Sequence, residues 1–91
     1  MTTAPRLAVV SRDNCPLCEE MRVALAATLA RTAPALVAAV TVIDVDSDPT
    51  LQRRFGLKVP VLLLDGEPVC HGHFDAAEFS RLLRGRGIPQ A

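Results

Sequence analysis

Two cysteines set two residues apart, Cys15-Pro16-Leu17-Cys18, are the part of this sequence best equipped for chemistry. Where a strand gives way to a helix, such thiols face each other across the first helical turn and can close a small disulfide ring. Proline suits the first helical position, because the N–H it lacks has no partner there and its φ is already helical. That places Cys15 at the N-cap and Cys18 one turn inside. A sulfur at the cap lies near unpaired backbone N–H groups and the positive end of the helix dipole, both of which favour thiolate over thiol. Cys15 is therefore the expected nucleophile, with Cys18 behind it as the resolving thiol. The same spacing also serves as half of a zinc site, with Cys70, His71 and His73 as further ligands, or as an inert structural pair.

Bulk properties narrow the setting. A chain of 91 residues, 49% of them hydrophobic, is enough for one small domain with a modest core. Ten basic and ten acidic residues cancel, and no basic run stands out, which argues against nucleic acid. Trp and Tyr are absent and only three Phe are present, so the stacking platforms of single-strand binders are missing too. Three cysteines are too few for a disulfide-stapled secreted module, and a Cys-x-x-Cys without export features fits a reducing cytoplasm. Residues 1–6 lack the apolar stretch of a signal peptide, and Arg31 and Pro34 interrupt the alanine-rich region before it reaches membrane length. The expectation is a soluble, cytoplasmic, monomeric domain over residues 1–91, with 1–6 and 86–91 as loose termini and no membrane or nucleic-acid partner.

The elements that must position the cysteines follow from pattern. Leu7-Ala8-Val9-Val10-Ser11 is a short apolar run of the kind buried on both faces of a sheet, and Arg12-Asp13-Asn14 is the loop that delivers Cys15. From Pro16 the period becomes helical, with Leu17, Met21, Leu25 and Leu29 as the apolar stripe, until Pro34 biases its predecessor out of the helix near residues 32–33. Residues 35–39 fit either one more turn or a loop. Residues 40–45 are rich in β-branched side chains and give a second strand, parallel to the first across a βαβ crossover. In such units reactive groups gather at the carboxyl ends of strands, where Cys15 lies. Asp48-Pro49 opens a short helix that Gly56 closes; residues 59–64 form a strand, Asp65-Gly66 a tight turn, and residues 68–71 the returning edge strand. Asp75 caps a last helix, with Glu78 at capping-box spacing and Phe79, Leu82 and Leu83 on its buried face.

The resulting order is β-α-β-α-β-β-α, an α/β arrangement with a mixed four-stranded sheet flanked by helices that resembles the thioredoxin-like fold. The chain resembles the small bacterial glutaredoxin-like proteins of the thioredoxin superfamily over residues 7–84. Three features carry the resemblance: Cys15-Pro16-Leu17-Cys18, like the family's Cys-Pro-aromatic-Cys with Leu17 for the aromatic; Val59-Pro60 before the third strand; and Gly72 to Asp75, like Gly-Gly-x-x-Asp with His71 for the first glycine. The resemblance implies a cis bond at Pro60, which lets the Val59 backbone pair with a thiol substrate as an added strand would. It implies a basic residue three positions before the nucleophile, here Arg12, as a cation supporting the thiolate; the alternative is a solvated loop arginine. It also implies that the His73 and Phe74 amides, with Asp75 as helix cap, hold the carboxylate of glutathione, helped by Lys58, which stands in place of the family's Thr.

The implied activity is that of a dithiol–disulfide oxidoreductase. Cys15, Cys18, Pro60 and Arg12 carry the chemistry, and Pro16, Leu17, Lys58, Val59, Gly72, His73, Phe74 and Asp75 contact the thiol substrate. No metal and no bound organic cofactor are implied. Glutathione or another low-molecular-weight thiol is the expected co-substrate, disulfide-containing proteins the substrates, and a reductase or thiol donor the electron source. A metal or iron–sulfur module built on the same cysteines, and a non-catalytic adaptor, are the alternatives. For Cys70, a small hydrophobe on an edge strand is the simplest reading.

Overall fold

The two continuous apolar runs become the two central strands. In the computed structural model, which describes residues 5–90, β1 (Leu7–Ser11) lies between β2 (Val40–Asp44) and β3 (Val61–Leu64), and β4 (Glu67–His71) borders β3. β1 runs parallel to β2 and antiparallel to β3, and β4 is antiparallel to β3. With α1 (Pro16–Thr32), α2 (Pro49–Phe55) and α3 (Ala76–Gly85), the order is the expected β-α-β-α-β-β-α.

The period of two along a strand sorts the apolar residues into two cores. Leu7 and Val9 of β1, opposite Leu64 and Leu62 of β3, face the helices α1 and α3 and pack with Met21, Leu25, Leu29, Phe79 and Leu83. Ala8 and Val10, opposite Leu63 and Val61, face the other way and pack with Val45, Leu51 and Phe55 around α2. Burial on both faces is why these strands carry no polar alternation. Each fully buried Leu or Val contributes roughly 1.5–3 kcal/mol of transfer free energy, offset by the entropy of ordering it.

Local signals explain the joints. Asp65 and Gly66 both adopt positive φ (51° and 86°), the backbone of the tight primed turn that best joins twisted antiparallel strands. Asp65 also exchanges hydrogen bonds with Arg6: its N–H donates to the Arg6 carbonyl, and its Oδ1 accepts from the Arg6 N–H, both at 2.8 Å. Pro68 sits on the edge strand β4 beside a register shift between Leu62 and Leu63, where its missing N–H breaks no ladder bond that the sheet needs. Asp48 and Asp75 cap α2 and α3, accepting from the N–H groups of Thr50 (2.7 Å) and Glu78 (3.0 Å).

Several boundaries and roles differ from the sequence reading. Residues 34–39 form a 3₁₀ segment (Pro34–Ala39) that buries Leu36, and Val45 leaves β2 to begin a short 3₁₀ turn (Val45–Ser47). Leu17 does not belong to the buried stripe of α1. It is 44% exposed at the first turn, and the buried face runs instead through Cys18, Met21, Leu25, Thr28 and Leu29. Gly56 closes α2 with ordinary right-handed geometry (φ −54°), so its use is spatial: a Cβ there would lie 2.5 Å from the Gln52 carbonyl oxygen. Residues 86–90 are not a loose terminus. The Ile88 N–H donates to the Leu83 carbonyl, Ile88 packs against the larger core, and Gln90 Nε2 donates to the Ser80 carbonyl at 2.8 Å. Of the N-terminal segment, residues 1–4 lie outside the described residues, and Arg6 is tied to the Asp65 turn. No helix among the described residues is long and apolar enough to cross a membrane.

Candidate active site

β1 ends at Ser11, and the loop after it turns through Asn14, whose positive φ of 57° brings the chain round to begin α1. Cys15 is the N-cap of that helix in extended geometry, with Pro16 at the first helical position. Its sulfur accepts a hydrogen bond from the Cys18 N–H at 3.1 Å, so it occupies the place that a serine or aspartate oxygen takes in an ordinary cap. The two cysteines are joined as a disulfide with Cα atoms 5.2 Å apart. They are unequal: Cys15 is partly exposed and opens on a shallow depression of about 600 Å³ bordered by Ser11, Arg12, Asp13, Glu19 and Val42, whereas Cys18 is 1% exposed. The outer sulfur meets solutes and the inner one does not.

On the other side of the first turn, Leu17 lines a second depression of about 230 Å³ with Glu20, Met21, Gly72, His73 and Phe74. Gly72 takes positive φ (74°), and its N–H donates to the Pro60 carbonyl at 2.8 Å. The Val59–Pro60 peptide is cis, and Pro60 is fully buried at the entrance to β3. Three stretches distant in sequence thus converge: the start of α1, the Val59-Pro60 step, and the loop between β4 and α3.

The chain matches the glutaredoxin-like domain family (DUF836) over residues 6–84. It belongs to that family. Among solved structures, the solution structure of protein Ne2328 from Nitrosomonas europaea is similar, with a TM-score of 0.74 and 26% identity, covering 90% of this chain and 94% of that one. The X-ray structure of protein XcR50 from X. campestris has a TM-score of 0.62 and 31% identity, covering 87% and 96%. The solution structure of reduced desulfothioredoxin from Desulfovibrio vulgaris Hildenborough has a TM-score of 0.65 and 25% identity, covering 91% and 82%. No curated protein matches the chain significantly. Family, fold and a cysteine pair at bonding distance together support a redox function in general terms.

The remaining residues of this glutaredoxin-like domain divide by what they touch. Arg12 is an exposed loop residue, as the alternative had it, but its guanidinium is bonded and not left free for the thiolate. Its guanidinium forks onto Asp46, Nε to Oδ2 at 3.1 Å and Nη2 to Oδ1 at 3.3 Å, and Nη1 donates to the Gly56 carbonyl at 3.0 Å. That bonding holds the Asp46 carboxyl below, and the arginine above, their ordinary ranges. Asp46 carries no local motif, and the 34 residues separating it from Arg12 hid the pair from sequence reasoning. Lys58 is exposed, its N–H spent on the Phe55 carbonyl. The His73 N–H donates to the His71 carbonyl at 2.8 Å, so one of the two amides matched to carboxylate binding is engaged within its own loop. Phe74 is half-buried, its ring 5.3 Å from that of Phe79. Asp75 is spent on capping α3.

Cys70 packs against the larger core, and burial pushes its thiol pKa up; Glu78 adds to that shift, while a hydrogen bond with the Leu62 backbone opposes it. It is separate from the redox pair. No cluster of three or more His, Cys, Asp or Glu side chains suited to a metal ion forms among the described residues, so Cys70, His71 and His73 do not complete a site with Cys15 and Cys18.

Proposed function

We propose that this protein is a dithiol–disulfide oxidoreductase of the glutaredoxin type, working through Cys15 and Cys18. The observation that carries the reading is the asymmetry of the pair: an accessible sulfur at a helix N-cap with a shielded sulfur one turn behind it. The Cys15 thiolate attacks one sulfur of a substrate disulfide. The substrate S–S bond breaks, a Cys15–substrate disulfide forms, and the departing thiolate takes up a proton. Cys18, deprotonated, then attacks the Cys15 sulfur, forming the Cys15–Cys18 disulfide and releasing the second substrate thiolate, which is protonated in turn. Two electrons and two protons pass from the dithiol to the substrate, and a thiol donor or reductase returns them.

Cys15 needs a nearby positive potential to stay ionised, and the unpaired N–H groups and dipole at the start of α1 supply it. Pro16 and Leu17 present the rim of the site. On this reading Val59 and Pro60 offer backbone to the substrate, and Gly72 holds that segment in place. Glutathione or another low-molecular-weight thiol is the proposed co-substrate, its carboxylates meeting Lys58 and the Phe74 amide beside the capped start of α3. The substrates are disulfide-bearing proteins, met by a monomer in a reducing cytoplasm that keeps the pair supplied with electrons.

The test is reduction of bis(2-hydroxyethyl) disulfide, coupled in one arm to glutathione with glutathione reductase and in the other to thioredoxin reductase. Turnover in one arm identifies the donor. Cys15→Ser should abolish turnover, and Cys18→Ser should accumulate a substrate adduct on Cys15 visible by mass. If both variants turn over like the parent, these cysteines are not the site.

A further inference from the structure

We propose that Arg12 and Asp46 form a strap fixing the loop that carries Cys15 against the segment that carries Pro60, with Arg12 acting through its geometry and not through its charge. The proposal rests on the redox reading of the pair. Arg12 stands three residues before Cys15, and its guanidinium contacts Gly56, four residues before Pro60. The side chain therefore spans the two stretches that the chemistry needs in register.

Both edges of the guanidinium are used, one on the carboxylate and one on a main-chain carbonyl. A lysine ammonium carries the same charge but cannot form that planar fork. The anchor is itself held: the Asp46 N–H donates to Asp44 Oδ1 at 2.9 Å, and Asp46 Oδ1 also accepts from Gln52 Nε2 at 3.2 Å. At Gly56 an added Cβ would run into the Gln52 carbonyl at 2.5 Å and shift the carbonyl that Arg12 grips, while Arg12 Nη2 itself, 3.7 Å away, leaves room. Asp46 bonds the guanidinium and Asp44 adds a second negative charge nearby, so the cation is paired and not free. Arg12 is thus a positioning residue, and Asp46 and Gly56 share that role.

Charge and geometry make opposite predictions for two conservative variants. Arg12→Lys preserves charge and loses the fork; Asp46→Asn preserves shape and leaves Arg12 a free cation. In the strap reading each variant raises KM for a peptide disulfide by about five- to tenfold with a smaller effect on kcat, since a loosened segment must be ordered by the substrate. The double variant is then no worse than either single one. The pH profile of Cys15 alkylation by iodoacetamide stays where it is in the parent, and amide exchange of residues 12–15 and 56–59 speeds up in both variants. Gly56→Ala, which changes no charge, should reproduce the KM effect.

Arg12→Lys behaving as the parent, or Asp46→Asn shifting the alkylation profile to lower pH, would overturn the strap. So would unchanged exchange in residues 56–59. A parent protein with no disulfide reduction but with faster exchange in the variants would sink the redox reading and leave the strap standing.

Discussion

Reducing the Cys15–Cys18 disulfide should destabilise the fold, and only modestly. The bond joins residues three apart in sequence, so it removes little freedom from the unfolded chain. On chain-entropy grounds a ring of about four residues is worth roughly 6 cal/mol/K, or about 2 kcal/mol at 25 °C. The reduced site recovers part of this, because the Cys18 N–H that points at the Cys15 sulfur binds a thiolate more strongly than a disulfide sulfur. A hydrogen bond to a charged group contributes about 1.5–3 kcal/mol. Ionising an ordinary thiol at pH 7 first costs about 2 kcal/mol, however, leaving a net recovery of no more than about 1 kcal/mol.

The oxidised protein should therefore be the more stable form by about 1–2 kcal/mol. In a domain of 91 residues that corresponds to a Tm higher by roughly 4–16 °C. The measurement is urea unfolding at pH 7 of the oxidised protein and of the protein in excess dithiothreitol, in a Cys70→Ala background that prevents thiol exchange. By linkage, the difference in unfolding free energy between the two forms is the difference in reduction potential between folded and unfolded pairs, about 30 mV for each 1.4 kcal/mol. A reduced form more stable than the oxidised one by 1 kcal/mol or more would refute the reasoning. The folded site would then hold electrons more tightly than an unfolded chain does, and the pair would be poised to oxidise thiols instead of reducing disulfides.

Gly72→Ala should cost about 1 kcal/mol, seen as a Tm lower by about 4–8 °C, because the left-handed backbone penalises any Cβ while the space around this one is empty. The same variant should slow disulfide reduction, since Gly72 holds the Pro60 carbonyl. Cys70 gives a pH signature. Its folded pKa lies above the ordinary 9.0, so the folded state keeps a proton that the unfolded chain gives up. The associated stability is complete below pH 9 and falls as pH rises through the folded value. Urea midpoints between pH 8 and 10.5 should decline more steeply for the parent than for Cys70→Ala, and parallel declines would discount the burial effect. In the reduced protein at pH 7.5, iodoacetamide should label Cys15 well before Cys70, as peptide mapping would show.

What was legible in the sequence was what a short stretch encodes by itself. The apolar run of residues 7–11 announced a strand covered on both sides, Asp65-Gly66 announced a tight turn, and Asp48 and Asp75 announced helix starts; all three signals depend on neighbours within a few residues. Cys15 was placed at a helix mouth by Pro16 alone. Misreadings arose where the deciding neighbour is far away. Leu17 fits a four-residue apolar period, but burial depends on whether another element reaches it, and the thiol of Cys18 took the inward place that periodicity assigned to a leucine. The docking of Ile88 and Gln90 depends on contacts with α3, and the partner of Arg12 lies beyond a whole helix and strand. Charge at Arg12 could be read from its position, but its destination could not.

The order β2-β1-β3-β4 has a consequence for how the molecule breathes. Cys15 follows β1 and Pro60 precedes β3, the two interior strands that hold hydrogen bonds along both edges. Peripheral segments detach first in local opening, and interior ones yield only near global unfolding. If β2 transiently peels away, the β1–β3 ladder still joins the strand that leads to the sulfur to the strand that leaves the proline, while the Asp46 anchor just beyond β2 is released with it. Opening of that edge thus loosens the strap before it disturbs the two strands that carry the site.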